Sequence, residues 1–167
     1  MIDIARLSSQ YEVRAMGEAD AEEILRLCQA NTLFYDYCEA RPTREQVLND
    51  LRVTPPGKDS SDKYYLGFYR GGTLMAVLDL IDGYPEPEIA YLGFFMMNAA
   101  FQGRGLGSAI IAELAAALRD LGKTAIRLGI DKGNPQSTHF WQKNGFAVIR
   151  EVDRPGGTVL LAERKLW

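Results

Sequence analysis

Residues 102–107 of this 167-residue chain, Gln-Gly-Arg-Gly-Leu-Gly, are of the types that hold a phosphate. Glycines at 103, 105 and 107 let the backbone approach a ligand closely, and Arg104 adds positive charge. Leu106, Ile110, Leu114, Leu118 and Leu121 recur at helical spacing, so the loop opens a helix. The first N–H groups of a helix have no internal partner and point at an anion; Ser108 falls in that turn. Neither common nucleotide loop fits. No Gly-Lys-Ser/Thr closes this loop, and Ser108 to Ile110 follow the last glycine where Gly-x-Gly-x-x-Gly would require another. The remaining readings are a phosphate cradle of another kind and a tight connection without a ligand.

A second group of residues could bind a cation. Asp79, Asp82, Glu86 and Glu88 fall between Gly71 and Gly103, a stretch with no lysine or arginine. The segment Tyr35-Asp36-Tyr37-Cys38-Glu39 adds aromatic rings and further carboxylates. Such a surface would favour an amine by field and by cation–π contact, unless it is acidic only because it is solvated. Cys28 and Cys38 have no Cys/His company, so two reduced thiols and no metal site are expected.

The elements that must position these residues follow from periodicity and punctuation. Tyr11 to Ala15 alternates as a strand. Asp20 with Glu23, and Thr43 with Gln46, are capping-box signatures that open two helices. Thr54-Pro-Pro-Gly57 stops the second one. Strands at Tyr64 to Tyr69 and Thr73 to Ile81 meet at Gly71-Gly72, a tight-hairpin signal. A central strand, Tyr91 to Met97, delivers the glycine loop and the helix from Leu106 to Leu121. A buried strand at Thr124 to Ile130 follows, then a helix opened by Asn134-Pro135 and closed near Asn144-Gly145. Phe146 to Val152 and Thr158 to Lys165 form a closing hairpin.

Length and composition bound the class. A chain of 167 residues suits one domain over residues 1–167, and 47% hydrophobic with 25% charged residues suits a soluble globular protein. The net charge of −3 and the lack of any Lys/Arg block argue against a nucleic-acid partner. No secretory start or bilayer-length apolar run is present, so a cytoplasmic protein without a membrane partner is expected.

Gln102 to Gly107 resembles the acetyl-CoA pyrophosphate loop of the GNAT superfamily of N-acetyltransferases. A second signature agrees: Asn134-Pro-Gln-Ser-Thr-His-Phe-Trp-Gln-Lys-Asn-Gly145-Phe146 is similar to that family's final helix. The element order matches too, so the resemblance covers nearly the whole chain. It implies the α/β GNAT fold, a single mixed, mostly antiparallel sheet of about seven strands flanked by about four helices. It also implies acetyl-CoA as cofactor and CoA as product. By position, Phe95, Met96 and Met97 match the segment that pairs with the pantetheine arm, and Gln102, Gly103, Arg104, Gly105, Leu106, Gly107 and Ser108 the pyrophosphate cradle. Asn134 matches a polar contact near the pantetheine, with Phe140 and Trp141 an aromatic wall beside the thioester.

Acyl transfer then needs an oxyanion donor, a neutral amine and an exit for the thiolate. A backbone N–H at the end of the central strand, of Met97 or the residue before it, would polarise the thioester carbonyl. An alkylamine with a pKa of roughly 10 requires a base, and Glu88 and Tyr91 are the candidates. The chain departs from the family pattern where many relatives carry a tyrosine acid: Trp141 stands there and cannot supply a proton, leaving water or Ser137. Tyr35, Asp79 and Asp82 are the substrate-binding candidates. The resulting expectation is direct acetyl transfer to a primary amine of a small cationic molecule. Acetylation of a protein N-terminus or lysine, or an acyl-CoA-binding sensor without catalysis, are the alternatives, and a homodimer through the closing hairpin is a further expectation.

Overall fold

A computed structural model describes residues 1–38 and 41–167. Seven strands form one sheet: β1 (Glu12–Ala15), β2 (Lys63–Arg70), β3 (Thr73–Asp82), β4 (Ile89–Met97), β5 (Ala125–Asp131), β6 (Ala147–Arg154) and β7 (Gly157–Lys165). Their order is β1-β2-β3-β4-β5-β7-β6. Every neighbouring pair is antiparallel except β4 and β5, which are parallel. The helices are α1 (Ala21–Gln29), the single turn α2 (Thr32–Tyr35), α3 (Arg44–Arg52), α4 (Leu106–Asp120) and α5 (Pro135–Lys143). This is the expected mixed sheet with one helical turn more than the sequence suggested.

Each face of the sheet is covered by its own apolar layer. On one side Ala21, Ile24, Leu27 and Cys28 of α1 and Val47 of α3 pack against Tyr65, Tyr69, Val77 and Met96. On the other, Ile110, Ile111, Leu114 and Leu118 of α4 and Trp141 of α5 pack against Leu66, Phe68, Leu78, Leu92 and Leu128. The strands β2 to β5 are thus buried on both faces, which is why they read as apolar runs.

Two caps differ from expectation. Thr43 accepts from the Gln46 N–H at 3.1 Å, but the Gln46 side chain reaches forward to Asp50 instead of back to Thr43. Asp20 makes no side-chain cap on α1; it accepts from the Gly17 N–H at 2.8 Å and closes a preceding 3-10 turn. Glu23 is turned away to accept from the Tyr69 hydroxyl at 3.1 Å. Both boxes signal helix starts correctly, although Gln46 is engaged by Asp50 within α3 and Glu23 by Tyr69 of β2.

The feature that builds the site is a break in β4. Opposite β3, Phe94 pairs with Asp79 and Leu92 with Leu80, so Gly93 is an extra residue and forms a bulge. Beside β5, pairing runs only from Ile89 to Leu92 and then stops. Past the bulge, β4 and β5 diverge and leave a gap.

Candidate active site

The gap holds a cavity of about 280 Å³. Its floor is Phe95, Met96 and Met97 of β4, one end is the glycine loop from Gln102 with the first turn of α4, and one wall is α5. The backbone polarity of the floor follows from hydrogen-bond alternation. The Asn98 N–H donates to Met75 O at 2.8 Å, so the peptide groups of Met96 turn toward β3 and those of Phe95 and Met97 toward the gap. Met97 O is reached from the gap side by Asn31 Nδ2 at 3.0 Å. A donor into the cavity is therefore the N–H of Met97 rather than of Met96.

The loop adopts the conformation its glycines permit. Gly103 and Gly105 have φ of +76° and +74°, a region that other residues enter only at a cost. Gly105 is the N-cap residue of α4, and no acidic residue occupies the helix's first turn. The N–H groups of Leu106, Gly107 and Ser108 therefore stand without intrahelical partners and without a competing carboxylate, which suits an anion. Gly107 has a different role. A Cβ there would lie 3.2 Å from Met97 Cγ and 3.3 Å from Phe140 Cε2, so glycine lets α4, β4 and α5 converge.

The wall is aromatic. Phe95 stacks on Phe140 at 5.9 Å, Phe140 meets Trp141 edge-on at 4.9 Å, and Trp141 meets Phe146 at 5.1 Å. Asn134 is buried and caps α5, its Oδ1 accepting from the Ser137 N–H at 3.1 Å. It does not line the cavity, whereas Ser137 does. Arg104 also lies outside the lining, exposed on the loop with its guanidinium 5.7 Å from the Phe101 ring. The hydroxyls among the lining residues are those of Ser108 and Ser137.

Several lining residues escaped the sequence reading. Asn31 is buried at the end of α1; its Nδ2 bonds Leu27 O at 2.9 Å as well as Met97 O, and its Oδ1 accepts from Gln102. It ties the first helix, the central strand and the glycine loop together. Phe34, Gln136 and Lys143 line the same space. Asn144 donates to Ser108 Oγ at 3.1 Å and to Phe140 O at 2.8 Å, clamping the end of α5 to the start of α4.

The base and acceptor residues expected from sequence do not line this cavity. Glu88 is exposed at the other end of β4, roughly 20 Å from Phe95 at about 3.3 Å per residue. Tyr91 also precedes the bulge; its ring packs edge-on against Tyr84 at 5.4 Å, and burial pushes its hydroxyl pKa up. Neither lines the cavity. Tyr35 is half-buried beside Cys28, where burial first, and then the neighbouring thiol, raise its hydroxyl pKa far above the ordinary range. Burial raises the Cys28 thiol to about 11.

Two carboxylates of the acidic stretch are neutralised by lysines outside it. Both Asp79 oxygens lie 2.7 Å from Lys63 Nζ, a pair whose side chains are only 10% and 4% exposed. Asp82 is paired with Lys123, and Asp36 with Arg41 at 2.8 Å. Glu39 lies outside the described residues. A window without lysine says nothing about lysines that neighbouring strands deliver.

Among the described residues no helix is long and apolar enough to cross a membrane. No group of three or more metal-ligating side chains occurs there either.

A family model described as "Acetyltransferase (GNAT) family" matches residues 24–146, from α1 to the residue after the final glycine cap. The chain belongs to the GNAT acetyltransferase family. A mycothiol acetyltransferase of Propionibacterium freudenreichii subsp. shermanii is 32% identical over 68 residues, 41% of this chain. That match spans 21% of the relative's own length. The crystal structure of an acetyltransferase from Thermus thermophilus superimposes with a TM-score of 0.74 at 26% identity, covering 93% of this chain and 97% of that one. A PaiA N-acetyltransferase from Thermoplasma acidophilum, solved in complex with coenzyme A, shares the fold with a TM-score of 0.68 at 20% identity. Coverage there is 93% of this GNAT chain and 98% of that chain.

Proposed function

We propose that this GNAT protein is an acetyl-CoA-dependent N-acetyltransferase that transfers acetyl directly to a primary amine of a small cationic molecule. One observation carries the reading: a cavity floored by outward-facing peptide groups of β4 runs into a glycine-bounded helix N-terminus free of carboxylates. The fit to acetyl-CoA is supported at its pyrophosphate and along its pantetheine arm. The N–H groups of Leu106, Gly107 and Ser108 would hold the pyrophosphate, with Lys143 at the rim. Phe95 and Met97 would pair with the pantetheine arm through their gap-facing backbone, beside the wall of Phe140 and Trp141.

Acetyl-CoA, when bound, supplies an acyl carbon activated as a thioester. The chain's part is to orient and to polarise. The Met97 N–H would donate to the carbonyl oxygen as negative charge develops there. Asn31 fixes Met97 by donating to its carbonyl oxygen while its own Oδ1 accepts from Gln102, which keeps that donor aimed. The aromatic wall excludes water, strengthening the donor. In the net reaction a C–N bond forms, the C–S bond breaks and the ammonium gives up two protons, one to solvent water and one, by way of water or Ser137, to the departing thiolate. The thiolate is a comparatively stable leaving group, since thiols have a pKa of roughly 8.5. Protonation by Ser137 or water therefore suffices where relatives use tyrosine.

The test is thermal shift with acetyl-CoA and with CoA, followed by thiol release across a panel of amines. A shift with release on small amines supports the reading. A shift without release on any amine supports the acyl-CoA sensor, which the absence of a tyrosine among the described lining residues favours. No shift with either ligand rejects both.

A further inference from the structure

A second cavity, of about 270 Å³, lies on the α1–α3 side of the sheet, between the end of α3 and the β3–β4 pair. It adjoins the bulge. Gly93 and Phe94 line it, while the next residue, Phe95, lines the larger cavity. Phe94 also packs edge-on against Phe34 at 6.4 Å, and Phe34 lines the larger cavity too. The two spaces are thus the two sides of one short piece of β4.

The absence of a side chain at Gly93 keeps this cavity open. A Cβ there would stand 2.6 Å from Asp79 Oδ2, inside the closed Lys63–Asp79 pair. Of that pair Asp79 lines the cavity, and with its charge matched by Lys63 it adds no net charge. The second carboxylate, Asp50, is different. Its one side-chain hydrogen bond comes from the neutral Gln46 amide at 2.7 Å, and among the described residues it forms no ion pair. Burial pushes its carboxyl up from the ordinary range. The rest of the lining is mostly apolar or aromatic: Val53 and Pro55 after α3, Ile81, Tyr91 and Phe94 from the sheet.

Building on the acetyltransferase reading, we infer that this second cavity is the acceptor subsite and selects an amine with one ammonium, received by Asp50, on an apolar body. Two carboxylates share one lysine here, so one carboxylate in excess against apolar walls matches one cation. A polycation would leave its further ammonium groups desolvated and unpaired, which costs more than the additional attraction returns. The subsite is also shallow in charge: of the nearby carboxylates of the sheet, Asp79 and Asp82 are closed by Lys63 and Lys123.

The experiment is isothermal titration of benzylamine, hexylamine and spermidine into the CoA-saturated protein, with Asp50→Asn and Val53→Lys alongside. Benzylamine and hexylamine are expected to bind tighter than spermidine. Both variants are expected to weaken the monoamines by about tenfold or more while leaving the CoA-induced thermal shift unchanged. Val53 is 51% exposed, so a lysine there adds a rim cation without disturbing packing. Failure of the wild-type protein to bind CoA rejects the acetyltransferase reading itself. CoA binding with tighter binding of spermidine, with no amine binding, or with unaltered monoamine affinity in both variants, overturns the subsite assignment alone.

Discussion

Replacing Lys63 by Met isolates the energetics of the pair beneath the second cavity. Both Asp79 oxygens bond Lys63 Nζ at 2.7 Å, and the side chains are 4% and 10% exposed, so solvent cannot take the lysine's place. Breaking a buried pair from one side costs about 3–5 kcal/mol, because the remaining charge is left uncompensated. For a chain of this size each kcal/mol moves the melting temperature by about 2–4 °C, so Lys63→Met should melt about 6–20 °C lower. Lys63→Met/Asp79→Leu should recover most of that loss, since replacing the whole pair by apolar groups is often neutral or better. The dependence on pH has a definite sign. Burial raises the Asp79 carboxyl pKa, opposed in the wild type by Lys63 and reinforced by Asp50. In the variant the opposition is gone and the folded-state pKa rises further. A raised carboxyl makes the folded state relatively more stable below the unfolded pKa and loses that advantage as pH rises through the folded one. The gap between variant and wild type should therefore narrow as pH falls from about 8 to about 5. Urea unfolding at each pH, with melts, measures all three quantities. A single variant within about 1 kcal/mol of wild type, or a double variant no better than the single, would refute the assignment of this pair as buried and closed.

Two further substitutions test the larger cavity. Gly105→Ala places a Cβ at φ +74° and should cost about 1–2 kcal/mol of stability in urea unfolding while weakening CoA binding measured by titration. Asn134→Ala removes the cap on α5 and should cost about 1 kcal/mol, with a smaller loss of CoA affinity than Gly105→Ala because Asn134 does not line the cavity.

Features with a local cause were legible in the sequence. The hairpin at Gly71-Gly72 takes positive φ at both positions, and the loop glycines at 103 and 105 do the same, because only glycine enters that region freely. Asn134-Pro135 opens a helix, since cap and proline act within one turn. What depended on distant partners was not legible. Asn31 reaches Met97 across 66 residues and Gln102 across 71, and nothing in its neighbourhood marks it. Asp79 and Asp82 read as an acidic surface because their lysines come from β2 and from the turn before β5. Glu88 follows from residue type alone, and its place before β4 keeps it out of the lining of the larger cavity.

The sheet order carries a consequence for how the chain is made. Strands β1 to β5 stand side by side in the order in which a ribosome emits them, so each can find its neighbour as it appears. The next strand to emerge, β6, cannot settle: its partner among the described residues is β7, which follows it. β7 in turn supplies the partner along the whole of β5, from Ala125 opposite Lys165 to Asp131 opposite Val159. Until residue 165 has been synthesised, one flank of β5 stays open, and a nascent chain halted before Gly157 would expose that flank to any other extended segment nearby.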